Sequence, residues 1–259
     1  MITSKTNDRI KYIEKLKTKA SFRREEQCFI VEGIRMIREV PKAWRRELFL
    51  TEKAAMEHPE LMSWCGSVEL VSEAVMEKLA DTKTPQGMLA VVAMGSTDNR
   101  KDPGHTLIFV LDGVQDPGNV GTIFRTAEAV GCTEVLLSRD SADPFSPKTV
   151  RSTMGAIFRV PVRIAEDLPY AVRELKKLWP GVKVCGMHLE GTDLYHADLS
   201  GPVAVLIGSE GNGLKEEVSR EADTLLRIPM EGQVESLNAA ISAAVMGYEV
   251  YRQHNSLHI

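Results

Sequence analysis

The sequence has few of the features that would place the protein in a membrane, in a disulfide-bonded fold or around a metal ion. No stretch approaches the roughly 18 apolar residues that a membrane-spanning helix needs, and the N-terminus shows no apolar signal region. The four cysteines, Cys28, Cys65, Cys132 and Cys185, have no paired short spacing, which is typical of reduced thiols. The six histidines include no tight pair at metal-ligand spacing. We therefore expect a soluble, cytoplasmic protein without a metal.

Two common nucleotide-binding motifs and a positive net charge are also missing. No Gly-Lys-Ser/Thr completes a P-loop, and the absence of G-x-G-x-x-G disfavours a nicotinamide-dependent dehydrogenase. The net charge of −4 argues against a protein that coats nucleic acid by bulk electrostatics. Positive charge is concentrated locally instead, because residues 1–24 hold eight Lys or Arg against two acidic residues. Any contact with nucleic acid should therefore come from such a patch.

Alternating strands and helices predict two α/β domains, residues 1–94 and 106–259, joined by a polar, turn-rich linker at 95–105. In the first domain we predict helices at 7–19, 52–63 and 72–80 and strands at 28–31, 48–50, 68–71 and 88–93. In the second we predict strands at 107–111, 134–137, 160–163, 182–187 and 203–207, and helices at 120–130, 167–178 and 237–252. The continuous apolar run at 107–111 is typical of a strand buried on both faces, so the second domain should be a parallel sheet covered by helices.

Loops that follow such strands are the places where ligands bind, and the first of these is residues 112–127. A turn-forming run there leads into a helix and places Asn119 and Arg125 near its first turns. A helix N-terminus with an adjacent arginine suits a phosphate or a polyanionic backbone. A glycine-rich turn with a surface arginine explains the same residues equally well.

Two later loops have a comparable composition. Residues 207–214 surround Glu210 with three glycines, which permits close approach of the backbone to a ligand, although a plain glycine turn is the alternative. Residues 226–240 join a short apolar strand, a loop opened by a proline and a helix whose expected N-cap is Ser236. This kind of connection is common, so it indicates a ligand site only when it is considered together with the other two loops.

Taken in this order, the three loops resemble the signature motifs of the SpoU (TrmH-like) RNA ribose 2′-O-methyltransferases, which belong to the SPOUT class. The first motif is similar to residues 119–127, the second to 208–214, and the third to 228–230 with 236–238. Residues 152–161 also resemble a stretch that is common in the family between the first two motifs.

This resemblance covers roughly residues 106–252. It implies a parallel-sheet SPOUT domain with a deep trefoil knot, a feature that periodicity alone would not suggest. Residues 1–94 resemble, more weakly, the L30e-like substrate-binding domain that many members carry. The resemblance also implies a homodimer formed through the region of the final helix.

The implied reaction transfers a methyl group from S-adenosylmethionine to a ribose 2′-hydroxyl of RNA. The positions that would bind the cofactor are Ile207, Gly208, Ile228, Pro229, Met230, Ser236 and Leu237. The positions implied for catalysis are Arg125, Asn119, Glu210, Ser236 and Asn238.

Arg125 would act on the 2′-hydroxyl, but a guanidinium is essentially always protonated and makes a poor literal base. A sulfonium already carries a good leaving group, so the site must chiefly align the oxygen and stabilise developing negative charge. We therefore favour Arg125 as a phosphate anchor and electrostatic activator, while the sequence leaves both roles open.

The RNA would be gathered by the basic N-terminal segment, with Lys11, Lys15, Lys19, Arg23 and Arg24 as the expected contacts. The additional N-terminal domain is typical of members that act on ribosomal RNA, so we expect 23S rRNA as the substrate. The alternatives are a tRNA ribose 2′-O-methyltransferase and a non-catalytic RNA-binding or ribosome-assembly protein.

Overall fold

The computed structural model describes residues 1–95, 105–232 and 236–256, apart from the side chain of Ser256. Most of the predicted linker and residues 233–235 of the third loop lie outside this description. The chain divides into two compact units, the first comprising Met1–Ser96 and Asp143–Phe158 and the second comprising Thr97–Ala142 and Arg159–Ile259. None of the helices in the described residues has the length and apolarity needed to cross a bilayer.

The first unit is built on a four-stranded mixed sheet. Its strands are β1 (Cys28–Glu32), β2 (Arg45–Leu50), β3 (Val68–Leu70) and β4 (Met88–Ala93), in the order β1-β4-β2-β3. Strand β4 is antiparallel to both of its neighbours, whereas β3 is parallel to β2. The helices are α1 (Asp8–Thr18), α2 (Ala20–Glu26), α3 (Ile34–Glu39), α4 (Glu52–Glu57), α5 (Glu73–Leu79) and α7 (Pro147–Ser152).

Local sequence explains where these helices begin and end. Helix α1 is capped by Asn7, whose side-chain oxygen accepts a hydrogen bond from the Arg9 amide at 2.8 Å. The predicted helix at 52–63 is instead divided, because Pro59 lacks the amide hydrogen that would continue α4, and a 3-10 turn follows at Pro59–Ser63. Helices α4 and α5 likewise begin at side-chain caps, namely Thr51 and Ser72.

The segment Asp143–Phe158 packs within the first unit, although the sequence analysis assigned it to the second domain. The carboxylate of Asp143 accepts hydrogen bonds from the Arg23 guanidinium at 2.9 and 2.5 Å. Phe158 stacks on Phe29 of β1 with ring centroids 6.3 Å apart, and Phe145 lies 5.1 Å from the same ring. These partners are more than 100 positions apart in the chain, so sequence periodicity carries no sign of the pairing.

The second unit contains a six-stranded sheet in which every recorded pairing is parallel, as predicted. Its strands are β5 (Leu107–Asp112), β6 (Glu134–Ser138), β7 (Val162–Ala165), β8 (Lys183–Asp193), β9 (Val203–Gly208) and β10 (Thr224–Arg227). The order is β10-β8-β9-β5-β6-β7. The helices are α6 (Pro117–Ala129), α8 (Leu168–Leu178), α9 (Glu216–Ser219) and α10 (Ala239–Ser256).

Helices pack against both faces of this sheet. Ile108 and Val110 of β5 join the buried cluster that receives α8. Phe109, between them in the strand, points to the opposite face, where a Cβ on Gly247 of α10 would lie 2.8 Å from its ring. Glycine at position 247 therefore lets α10 lie close to β5, and the loops after β5, β9 and β10 emerge at one edge of the sheet.

Candidate active site

The loop after β5 leads into α6 through a proline turn that fixes the position of Asn119. The side chain of Asp116 caps the helix by accepting a hydrogen bond from the Asn119 amide at 2.9 Å. Pro117 occupies the first turn, where its missing amide hydrogen costs nothing. The Asn119 side chain is half-buried and points toward the other two loops.

Three side chains from the three loops meet at this point. The Asn119 amide group donates a hydrogen bond to the carboxylate of Glu210, which belongs to the glycine-rich loop after β9. The Asn238 amide group donates to the Asn119 side-chain oxygen at 3.0 Å. Residues separated by up to 119 positions thus form one chain of contacts, which is what the position of the loops at strand ends predicts.

The start of α10 differs from the expectation that Ser236 caps it. The side-chain oxygen of Asn238 accepts hydrogen bonds from the amides of Ala240 and Ile241 at 2.9 and 3.3 Å, so Asn238 fills the capping role. The prediction that Ser236 is the N-cap is therefore wrong. Both residue types are good caps, and only the position where the helix begins decides between them.

A cavity of about 450 Å³ opens beside this contact. Six of the seven expected cofactor residues line it, namely Ile207, Gly208, Ile228, Met230, Ser236 and Leu237. Pro229 is not among the lining residues. Sequence reasoning missed one wall, formed by Met187, His188, Leu189 and Glu190, because β8 runs past the predicted end of its strand at 187.

The glycine-rich loop forms a tight hairpin. The backbone amides of Ser209 and Gly213 donate to each other's carbonyl oxygens at 3.1 and 2.9 Å. A Cβ placed on Gly208 would collide with the backbone of Gly213, so no larger residue fits at position 208 without moving the hairpin. The shape of this wall of the cavity therefore requires glycine at position 208.

Arg125 lies six positions after Asn119 on α6, roughly 9 Å farther along the helix axis. Its side chain is exposed and makes no hydrogen bond or ion pair with any residue that the structure describes. The structure thus brings Asn119, Glu210 and Asn238 together but leaves Arg125 outside that contact, available to a ligand.

A group of charged side chains lies behind the hairpin. Asp112 ends β5 with a fully buried side chain, and its carboxylate accepts a hydrogen bond from the Lys215 backbone amide at 2.7 Å. The Lys215 ammonium lies 3.3 Å from the other oxygen of Asp112 and 2.8 Å from Asp140. This ammonium, together with the Ser138 hydroxyl, holds the pKa of Asp140 below its usual value, while Asp140 raises the pKa of Lys215.

A second cavity, of about 710 Å³, lies on the far side of this group at the ends of β5, β6 and β7. Four of its charged side chains form ion pairs within the lining, Arg139 with Glu166 and Arg173 with Glu221. Across the described residues, no group of three or more His, Cys, Asp or Glu side chains could hold a metal ion. The smaller cavity, which is lined largely by apolar side chains and glycines, is the better site for an organic cofactor.

The expected RNA contacts in the first unit divide into two sets. Lys11, Lys15 and Lys19 are exposed, and Arg24 is half-buried. Arg23, by contrast, is only 3% exposed. Its guanidinium donates to Asp143 and to the carbonyl oxygens of Leu16 and Lys17, so it is not free to contact phosphate and is removed from the expected set.

A parallel sheet with a cofactor-sized cavity and a polar cluster at its carboxyl edge is the arrangement of a small-molecule-binding α/β protein whose site is built on three loops. Residues 106–248 match the SpoU rRNA Methylase family, and residues 7–90 match the MRM3-like substrate binding domain. The chain belongs to the SpoU rRNA Methylase family.

Similar proteins agree over nearly the whole chain. The 23S rRNA (guanosine(2553)-2′-O)-methyltransferase RlmP of Bacillus subtilis is 34% identical over 250 residues, which cover 96% of this chain and 98% of that protein. An AdoMet-bound rRNA methyltransferase from Sinorhizobium meliloti has a TM-score of 0.83 at 33% identity, covering 98% and 97% of the two chains. The SpoU methyltransferase AviRb from Streptomyces viridochromogenes, in complex with AdoMet, has a TM-score of 0.87 at 27% identity, covering 96% and 99%.

Proposed function

We propose that this protein transfers a methyl group from S-adenosylmethionine to a ribose 2′-hydroxyl of 23S rRNA. The observation that carries the proposal is the contact of Asn119, Glu210 and Asn238 beside the 450 Å³ cavity, in a chain of the SpoU family. The names of its relatives support ribosomal RNA as the substrate.

The cavity fits the cofactor in size and chemistry. Its volume of about 450 Å³ lies within the range of about 300–1,000 Å³ that is typical of small-molecule sites. Ile207, Ile228 and Leu237 provide apolar walls, and the backbone around Gly208 provides hydrogen-bonding groups without side chains in the way. When bound, S-adenosylmethionine supplies an electrophilic methyl group on a sulfonium, which needs no metal or further activation.

The residues of the chain then align the acceptor. The side-chain amide group of Asn119 is held by hydrogen bonds on two sides, one with Glu210 and one with Asn238. RNA binding therefore costs little further conformational entropy at this side chain. Arg125 anchors a phosphate next to the reacting ribose and stabilises the negative charge that develops on the 2′-oxygen. A guanidinium that stays protonated can do both, so we favour this role over that of a literal base. The hydroxyl proton would then pass to solvent water as the oxygen–methyl bond forms, the sulfur–methyl bond breaks and S-adenosylhomocysteine leaves.

The first unit would gather the RNA through the exposed ammonium groups of Lys11, Lys15 and Lys19. These three side chains lie on and just after α1, four positions apart, and therefore recur along one side of the helix. Arg24, half-buried at the end of α2, remains a further candidate.

We also propose a homodimer, because α10 presents large apolar side chains that the unit leaves uncovered. Ile241, Tyr248 and Tyr251 are 53%, 53% and 45% exposed. Sedimentation of a monomer at micromolar concentration would contradict the dimer. A trefoil knot in the second unit and a cytoplasmic location complete the proposal, the latter supported by four cysteines that are all free thiols.

The function is tested with purified protein, labelled S-adenosylmethionine and two RNA pools, 23S rRNA from a deletion strain and bulk tRNA. Methyl transfer to rRNA at a 2′-oxygen, mapped by resistance of the adjacent linkage to alkali, is the expected result. Transfer only to tRNA would redirect the substrate assignment. RNA binding without transfer to either pool would favour the non-catalytic alternative.

A further inference from the structure

The glycine-rich hairpin is held at both of its ends by β5. At its start, Gly208 pairs with Asp112 in the parallel register of β9 and β5. At its end, the Lys215 amide donates to the Asp112 carboxylate at 2.7 Å. One residue therefore closes the base of a loop that lines the cavity and carries Glu210.

Burial makes this hydrogen bond stronger than an exposed one. The Asp112 side chain is fully buried, whereas its counter-ion, the Lys215 ammonium, is 46% exposed. An ion pair with such an exposed partner contributes little by itself, but a buried acceptor for a backbone amide cannot be replaced by water. The ammonium chiefly offsets the charge of Asp112 and links it to Asp140.

The neighbouring loop is tied to the same place. Gly113, next to Asp112, donates its amide hydrogen to the Ser138 hydroxyl at 2.9 Å, and the Val114 amide donates to Ser141 at 3.2 Å. These bonds fix the beginning of the loop that leads to Asn119. The two loops whose side chains meet at the candidate active site are thus anchored through adjacent residues at the end of β5.

We propose that Asp112 is a positioning residue for the cofactor site: by accepting the Lys215 amide it presets the hairpin for S-adenosylmethionine and directs Glu210 toward Asn119. This inference rests on the proposed function for the identity of the ligand. A hairpin released at one end samples other shapes, and binding must then order it again, which lowers affinity without removing any contact to the ligand.

Two double variants of identical charge isolate the acceptor. Asp112→Asn with Lys215→Met keeps an oxygen for the backbone amide, whereas Asp112→Leu with Lys215→Met has the same side-chain shape and no acceptor. We expect the leucine variant to bind S-adenosylhomocysteine about 5- to 30-fold more weakly than the asparagine variant. Hydrogen exchange of residues 208–214 without ligand should be faster in the leucine variant only.

Glu166→Gln is the matched control, because it breaks the exposed pair with Arg139 in the larger cavity and leaves the hairpin alone. It should change neither measurement. Equal affinity and equal exchange in the two double variants would overturn the role of Asp112, as would an affinity loss that follows the melting temperature of each variant and not the exchange of the hairpin. A wild-type protein that binds no S-adenosylhomocysteine would overturn the proposed function instead, and the ligand-free exchange comparison would still decide the positioning role.

Discussion

Replacing Arg23 with methionine should destabilise the first unit and leave the intrinsic RNA-binding surface intact. The Arg23 side chain is 4% exposed and makes four hydrogen bonds, two to Asp143 and one each to the carbonyl oxygens of Leu16 and Lys17. Methionine fills similar volume but satisfies none of these groups. The prediction separates a structural arginine from the RNA contact that its place in a basic segment suggests.

The magnitude follows from the groups left behind. Removing one partner of a buried ion pair costs about 3–5 kcal/mol, because the other charge stays buried without compensation. The Asp143 side chain is 15% exposed, so water reaches it in part and the lower end of that range, about 3 kcal/mol, applies. The two carbonyl oxygens lie in the last turn of α1. Water can reach the partly buried Lys17 carbonyl, but the Leu16 carbonyl is buried, so the loss of its donor adds to the cost.

Tryptophan fluorescence in denaturant can report the first unit alone. Trp44 and Trp64 belong to that unit, and the third tryptophan, Trp179, lies in the other, so a Trp179→Phe background isolates the signal. Lys19→Met, a nearby exposed cation, is the control that should weaken RNA binding without shifting the unfolding midpoint. An Arg23→Met protein as stable as its parent but weaker in RNA binding would refute the structural role.

Three further predictions concern chemistry, capture and pH. Arg125→Ala should abolish single-turnover methyl transfer with S-adenosylhomocysteine binding intact, and a normal rate in this variant would remove the residue from the mechanism. Arg125→Lys should not restore the rate because a point charge lacks the planar fork, and a normal rate there would show that the positive charge alone is enough. Neutralising Lys11, Lys15 and Lys19 together should weaken RNA binding and reduce its salt slope by about 2–3, and a rate still slow at saturating RNA would show a role beyond capture. The hydrogen bond from Arg252 lowers the pKa of the buried Glu249 carboxylate. The stabilisation of the fold by this pair is therefore present above the unfolded pKa of about 4.3 and is lost as the pH falls through the folded pKa. Acid unfolding that does not change in Glu249→Gln would contradict this prediction.

Much of the second unit could be predicted because its signals are local. Apolar runs mark strands that are buried on both faces, and the loops after them carry the polar residues, so the meeting of Asn119 with Glu210 follows from the parallel sheet. The features that could not be predicted depend on contacts between residues that are far apart in the sequence. No local pattern relates Asp112 to the amide of Lys215, which lies 103 positions away.

The same limit explains the errors. Arg23 stands among lysines and looks like one more surface cation, and only the fold reveals its partner 120 positions later. Ser236 and Asn238 are equally good helix caps by residue type, so the choice depended on the first turn of α10. The wall at 187–190 was missed because the residues after Met187 lose the apolar character that marked the strand, although β8 continues to Asp193.

The first unit is built from two separate segments of the chain, and this affects how it folds during synthesis on the ribosome. Translation delivers Met1–Ser96 well before Asp143–Phe158, the segment that covers Phe29 and neutralises Arg23. About 60 further residues must be added first, which takes roughly 3–12 s at elongation rates of about 5–20 residues per second. During that interval the nascent chain exposes an apolar face and an uncompensated cation, so the first unit completes its fold only after part of the second unit has been synthesised. A fragment ending at residue 95 should accordingly be aggregation-prone, and adding a peptide of residues 143–158 in trans should restore its solubility.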